Sequence, residues 1–308
     1  MDAAALWIEA AGRWAVYLTA LPWLGAVSAR LLLWPRVTVT TPDERLELDR
    51  ALGRLALLLA MALLFALALR ALGQTAIAFG LGDALDLDHL RTVVVESRWG
   101  GRFRWQAYAA CAVLVASLLV RLRIPGGWAL ATLAGVALCV ALPRTGHAVS
   151  QGTLALAAQA LHVLGGGLWV GTLAVVVGRR LWGAREERQW GEGEGGDRGK
   201  HALTAEALRV FAPVAITGAS ALAVSGLLTS YLYLPDLASL FTTSWGRALL
   251  LKTALVGVVG LLGLLNFRRF RRANTAVASL RLPRIELLVA LVVVLLTGLL
   301  TALPSPSG

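Results

Sequence analysis

An all-α membrane protein with about eight transmembrane helices is the fold class this 308-residue chain predicts. Three observations lead there. The chain is 57% hydrophobic with a mean hydropathy of +0.70, well above the roughly 45–50% apolar usage of soluble domains. Its apolar residues gather in runs long enough to cross a hydrocarbon core about 30 Å thick, which takes about 20 helical residues. The runs are continuous rather than alternating, which excludes barrel strands, and lipid offers backbone groups no partner, which leaves helices.

The spans fall at about 12–34, 51–71, 103–122, 125–143, 153–178, 207–234, 246–267 and 284–303. Asp2 and Glu9 precede Arg13, so no basic leader region precedes the first, and it reads as a retained span rather than a cleaved signal. The second stops at Arg70, the third follows Trp99-Gly100-Gly101-Arg102, and the fourth ends at Pro143-Arg144. Arg179-Arg180 closes the fifth and Pro235-Asp236 the sixth. Trp245-Gly246-Arg247 opens the seventh, Arg268-Arg269 closes it, and Arg284 opens the eighth.

Basic residues orient the bundle. One set of loops holds Arg36, Arg45 and Arg50, then Arg121 and Arg123, the cluster from Arg179 to Arg209, and the cluster from Arg268 to Arg284. The other set is far poorer in them. The positive-inside bias makes the first set cytoplasmic, so both termini face outward. The same bias accounts for the net charge of +11 without invoking nucleic acid. Residues 183–204, polar, Gly-rich and mixed in charge, read as a cytoplasmic linker.

One phrase is written twice. Asp88 to Arg102 and Asp236 to Arg247 each run from an acidic residue through Trp-Gly to a basic residue, then into a span. Trp23-Leu24-Gly25 and Trp169-Val170-Gly171 echo each other as well. The offsets 169 − 23 and 245 − 99 both equal 146. This pattern predicts two parallel four-helix halves, 1–143 and 144–308, with a site between them.

Few residues carry chemistry. His162 lies inside the fifth span, 17 residues before Arg179 and about 25 Å from the cytoplasmic end at 1.5 Å per residue. Ionisable groups there are costly and face the bundle interior; a ligand in a transport path and a satisfied packing residue both meet that condition. His147, in the outer turn between spans four and five, suits an entrance. His89 closes the acidic stretch Asp83 to Asp88 on the outer loop and could join it. Lys252 lies about 9 Å into span seven, and Asn266 ends that span. With Trp169 and Trp245, these two form a candidate path or gate. Cys111 and Cys139 suit soft metals but also serve as small apolar filler. Walker, HExxH, CxxC and nucleophile-elbow motifs are absent, so the chain reads as no enzyme.

Several stretches together resemble a known family. They are Val210 to Tyr231, Ser244-Trp-Gly-Arg-Ala-Leu-Leu-Leu-Lys252, Leu265-Asn266-Phe-Arg268, His162-Val-Leu-Gly-Gly-Gly-Leu-Trp169-Val-Gly171 and Ser97-Arg-Trp-Gly-Gly-Arg102. In order and spacing they resemble the copper resistance protein D family. That resemblance implies an eight-helix inner-membrane protein that takes copper toward the cytoplasm beside a periplasmic copper-binding partner. It carries His147 and His162 over as metal ligands, with Lys252 and Asn266 behind them. Tyr17 stands where the first span of such proteins often has histidine, and methionine is confined to Met1 and Met61. Two other functional classes are compatible with the residues. One is a haem-binding redox protein, which needs paired histidines at matched depth; the other is a non-transporting partner or sensor of a periplasmic copper protein.

Overall fold

The computed structural model describes residues 3–38, 41–178, 194–234, 236–272 and 281–303. Among the described residues there is no strand, and eight helices are long and apolar enough to cross a membrane. They are α1 (Ala3–Ser28), α2 (Pro42–Phe79), α3 (Arg98–Arg121), α4 (Gly127–Ala141), α5 (Thr153–Gly178), α6 (Glu194–Tyr233), α7 (Ser244–Arg272) and α8 (Arg281–Ala302). Each predicted span has its helix.

At α2 the boundary differs from the predicted one, the helix starting nine residues before its apolar run. Thr41 explains it: its hydroxyl accepts the Glu44 N–H at 3.3 Å, and its own N–H donates to the Glu44 carboxylate at 2.7 Å. This reciprocal cap, with Pro42 in the first turn, stabilises a start among polar residues. At 1.5 Å per residue the helix is about 57 Å long, so one end projects well past a 30 Å hydrocarbon layer. In the predicted linker, residues 183–193 lie outside the described residues, and α6 is already helical from Glu194. Extending a formed helix adds one hydrogen bond per residue fixed, which outweighs the weak propensity of that stretch.

Sequential helices pack as antiparallel neighbours: α1 with α2, α2 with α3, α3 with α4, α5 with α6, and α7 with α8. α1 joins the two sets by also packing on α5 and α8. Its Trp14 indole donates to the Leu295 carbonyl of α8. One buried core lies among α1 to α4 around Trp23, whose indole donates to the Ser117 hydroxyl at 2.9 Å. A second lies around Trp169 of α5. Large apolar side chains such as Phe65, Leu133 and Leu227 are exposed on the outside of the bundle, as lipid contact allows.

Where α1 crosses α5, residues 146 apart meet each other. A Cβ on Gly25 would lie 2.1 Å from the Gly171 carbonyl carbon, and one on Gly171 would lie 2.0 Å from the Leu21 carbonyl oxygen. Only bare backbone fits on either side. Gly171 closes a widened helical turn, Gly167–Gly171, a local π-type distortion of the kind common at functional sites.

The doubled phrase proves to be one local structure built twice. Ser97 and Thr243 cap α3 and α7, each hydroxyl accepting an N–H at 2.9 Å, from Gly100 and Gly246 respectively. Each hydroxyl also donates back four residues, to the Val93 and the Ser239 carbonyl. The capping folds the preceding turn onto the helix start. A Cβ on Gly100 would lie 2.3 Å from the Val93 oxygen, and one on Gly246 would lie 2.2 Å from the Ser239 oxygen. Glycine in the phrase is therefore a steric requirement of the cap.

Candidate transport site

α5 carries most of the candidate site. The His162 ring lies across from α6, its Nδ1 2.9 Å from the Ser225 hydroxyl. Ser225 donates its single proton to the Ala221 carbonyl at 2.6 Å, so the hydroxyl oxygen receives the Nδ1–H of histidine. In that tautomer Nε2 is unprotonated, the form in which neutral imidazole binds metals, with the other ring nitrogen held by a hydrogen bond. One turn away on both helices, the Gln159 amide donates to the Thr229 hydroxyl at 3.4 Å, and Thr229 donates to the Ser225 carbonyl at 2.7 Å. The two polar rungs tie α5 to α6. Lys252 of α7 lies within electrostatic reach of His162.

Seven residues further along α5, about 10 Å by helical rise, sits Trp169. Its indole donates to one oxygen of Glu286 at 3.1 Å, and the Asn266 amide donates to the other at 2.7 Å. Glu286 is 3% exposed and Asn266 7%. The amide oxygen of Asn266 has no partner, so a carboxylate and an unsatisfied carbonyl lie side by side where α5, α7 and α8 meet. Buried polar atoms are rarely left unpaired, and hard oxygen donors of this kind suit a cation or a proton.

At the less basic end of the bundle, a cavity of about 70 Å³ opens above the Gln159–Thr229 rung. Its walls come from α1, α2, the turn after α4, and α5 to α8. Trp245 belongs to this wall, 3% exposed and edge-to-face with Tyr233. Trp99 stacks on Phe103 with centroids 4.7 Å apart.

The sequence-predicted residues divide into groups. His162 and Lys252 are brought near each other, and Trp169 and Asn266 meet through Glu286. His147 falls in a short turn, His147–Val149, between two residues that line the cavity, Gly146 and Ala148. His89 is held apart in the loop between α2 and α3, stacked on Phe79 at 4.1 Å, its Nδ1 3.8 Å from Asp86. There the backbone N–H of His89, then that of Asp88, holds the Asp86 carboxyl below its ordinary range. Cys111 is exposed and Cys139 buried, so the two thiols occupy different environments. Among the described residues no group of three or more His, Cys, Asp or Glu side chains gathers for a metal.

Sequence reasoning passed over Glu286, Ser225, and the buried arginines Arg13 and Arg70. The signal for Glu286 was its position inside a predicted span, where a lone acid is as informative as a lone histidine. The arginines had been counted only as orientation charges.

Comparison with known proteins agrees with this architecture. The family described as copper resistance protein D-like, N-terminal domain, matches residues 1–156, and copper resistance protein D matches residues 205–300. The chain is 28% identical over 236 residues to the copper transport protein CutJ of Bacillus subtilis (strain 168), covering 74% of this chain and 41% of that protein. It therefore spans about two fifths of that relative's length. No solved structure matches. With the N-terminal description alone covering about half of its residues, and the second covering most of α6 to α8, the chain belongs to the copper resistance protein D family.

Proposed function

We propose that this chain conducts a copper ion across the inner membrane, from the outward face toward the cytoplasm, with both termini outside. The observation that carries the reading is His162: an intramembrane imidazole whose Nδ1 is held by the Ser225 hydroxyl. His147, in the turn beside the outer cavity, is the proposed entrance ligand. His89 is a second receiving group on the outer loop, where a periplasmic copper-binding protein would deliver its metal. A protonated Lys252, within electrostatic reach of His162, would weaken the hold on a cation, which suits transit better than storage. Glu286 and Asn266, about 10 Å further along α5, are the proposed inner station, with Trp169 as its gate.

The reading predicts that His162→Ala abolishes copper-dependent accumulation in cells while the protein still reaches the membrane. Ser225→Ala should lower accumulation less, since it loosens the ring without removing it. Uptake into proteoliposomes, with orientation fixed by protease accessibility of a terminal tag, measures direction. Unchanged accumulation in His162→Ala overturns the site, and partner binding without metal flux supports a scaffold or sensor instead. A bis-histidine haem site finds no second histidine inside a described span.

A further inference from the structure

The cavity at the less basic end has a charge pattern that cation transport does not explain. Two guanidiniums line it, Arg13 at 8% exposure and Arg70 at 6%. The two lie within electrostatic reach of each other. Among the described residues one carboxylate answers them, Glu9, and Arg13 holds it. Arg70 is bonded to neutral groups, the Gln106 amide oxygen at 2.8 Å and the Thr145 hydroxyl at 2.7 Å, with its guanidinium 5.9 Å over the Trp99 ring. The Nε of each arginine is buried with no acceptor. None of the described lining residues is acidic.

We propose that this cavity binds a small monovalent anion of halide or carboxylate size. A buried guanidinium without a counter-charge is costly, and an anion drawn into the cavity supplies what the side chains do not. Arg70 is also prepared for it. The Gln106 amide nitrogen is anchored to the Leu142 carbonyl at 2.8 Å and the Thr145 hydroxyl at 2.9 Å, which fixes the oxygen that Arg70 grips. Thr145 therefore accepts two N–H donors, so its own proton is available to a third group. The volume of about 70 Å³ is ample for chloride or formate. Because Gln159 and Thr229 also line the cavity, the anion would sit one rung above His162 and offset the positive field that an incoming cation meets. Anion binding itself does not depend on the transport reading.

The test uses the purified full chain in detergent, at fixed ionic strength with gluconate as the background anion. The expected result is saturable broadening of the 35Cl resonance by wild-type protein, relieved by formate and nitrate, with a chloride-dependent rise in the thermal midpoint. Arg70→Gln should remove the excess broadening. Ala148→Leu, which fills the cavity and keeps both arginines, should remove it as well. Absence of saturable broadening in the wild type overturns the proposal without recourse to any variant. Broadening that persists in Ala148→Leu also overturns it, by placing the anion elsewhere.

Discussion

Adjacent glycines in the first copy of the doubled phrase should respond to alanine in opposite directions. A Cβ on Gly100 meets the Val93 and Val94 oxygens at 2.3 Å, whereas ordinary contact begins at 3.4 Å. The backbone of the preceding turn must therefore recede by about 1 Å, and that turn is tied to the helix by the Ser97 cap. Forced repacking of this kind costs about 1–3 kcal/mol. One residue on, a Cβ on Gly101 meets only the end of the Arg104 side chain at 4.0 Å. There alanine relieves the helix of glycine's propensity penalty, about 0.8–1.0 kcal/mol. Since that gain is common to both positions in α3, the two variants should differ by roughly 1–3 kcal/mol, Gly101→Ala being the more stable. Gly246→Ala, with its Cβ 2.2 Å from the Ser239 oxygen, should fall with Gly100→Ala. Reversible unfolding in mixed micelles with rising dodecyl sulfate, followed by far-ultraviolet dichroism, measures all three. Equal stability of Gly100→Ala and Gly101→Ala would refute the steric account of the phrase.

Two further outcomes follow from the geometry. Trp169→Phe removes the indole donor to Glu286 and leaves one carboxylate oxygen bare, so it should cost about 1.5–3 kcal/mol; in Glu286→Leu the same substitution should cost less, and equal costs in the two backgrounds would show that Trp169 and Glu286 are not coupled. The Asp236 carboxylate, fully exposed, accepts the Ser239 hydroxyl and the Ser239 N–H, each at 2.7 Å, and the hydroxyl bond is the main reason it stays below its ordinary 3.8. A lowered carboxylate stabilises fully above its unfolded value and loses that contribution as pH falls through the folded one. Protection of the Ser239 amide from hydrogen exchange, corrected for intrinsic rates, should hold down to about pH 4 and decline below it, while Asp236→Asn should show no such step.

Much of the fold was legible because a membrane allows so little choice. Eight continuous apolar runs cannot be anything but helices, and basic residues mark where each run stops. The beginning of α2 was not legible from hydropathy, since a polar cap set it, although Thr41 and Glu44 stood at the right spacing. His162 stood out as an ionisable group in an apolar run. Its partner Ser225 did not, because serine in a membrane helix most often bonds its own backbone, as this one also does. Glu286 lay near a span end, where an acid passes for part of the interface. Only the crossing of α5, α7 and α8 reveals that it is enclosed. Arg13 and Arg70 show the same limit: a basic residue near a span end reads as a topological signal until the packing shows that it is buried.

The meeting of Gly25 with Gly171 has a consequence for how the protein is made. α1 leaves the ribosome long before the surface it must lie against exists, because 146 residues separate the two glycines. At about 5–20 residues per second, that is a wait of roughly 7 to 30 s. During it, α1 gains α2, α3 and α4 for company but keeps a bare strip of backbone on its remaining side. A larger side chain at position 25 would leave that early assembly undisturbed and block only the final docking of α5. Such a chain would be inserted normally and fail late, as a half-closed bundle exposed to quality-control proteases.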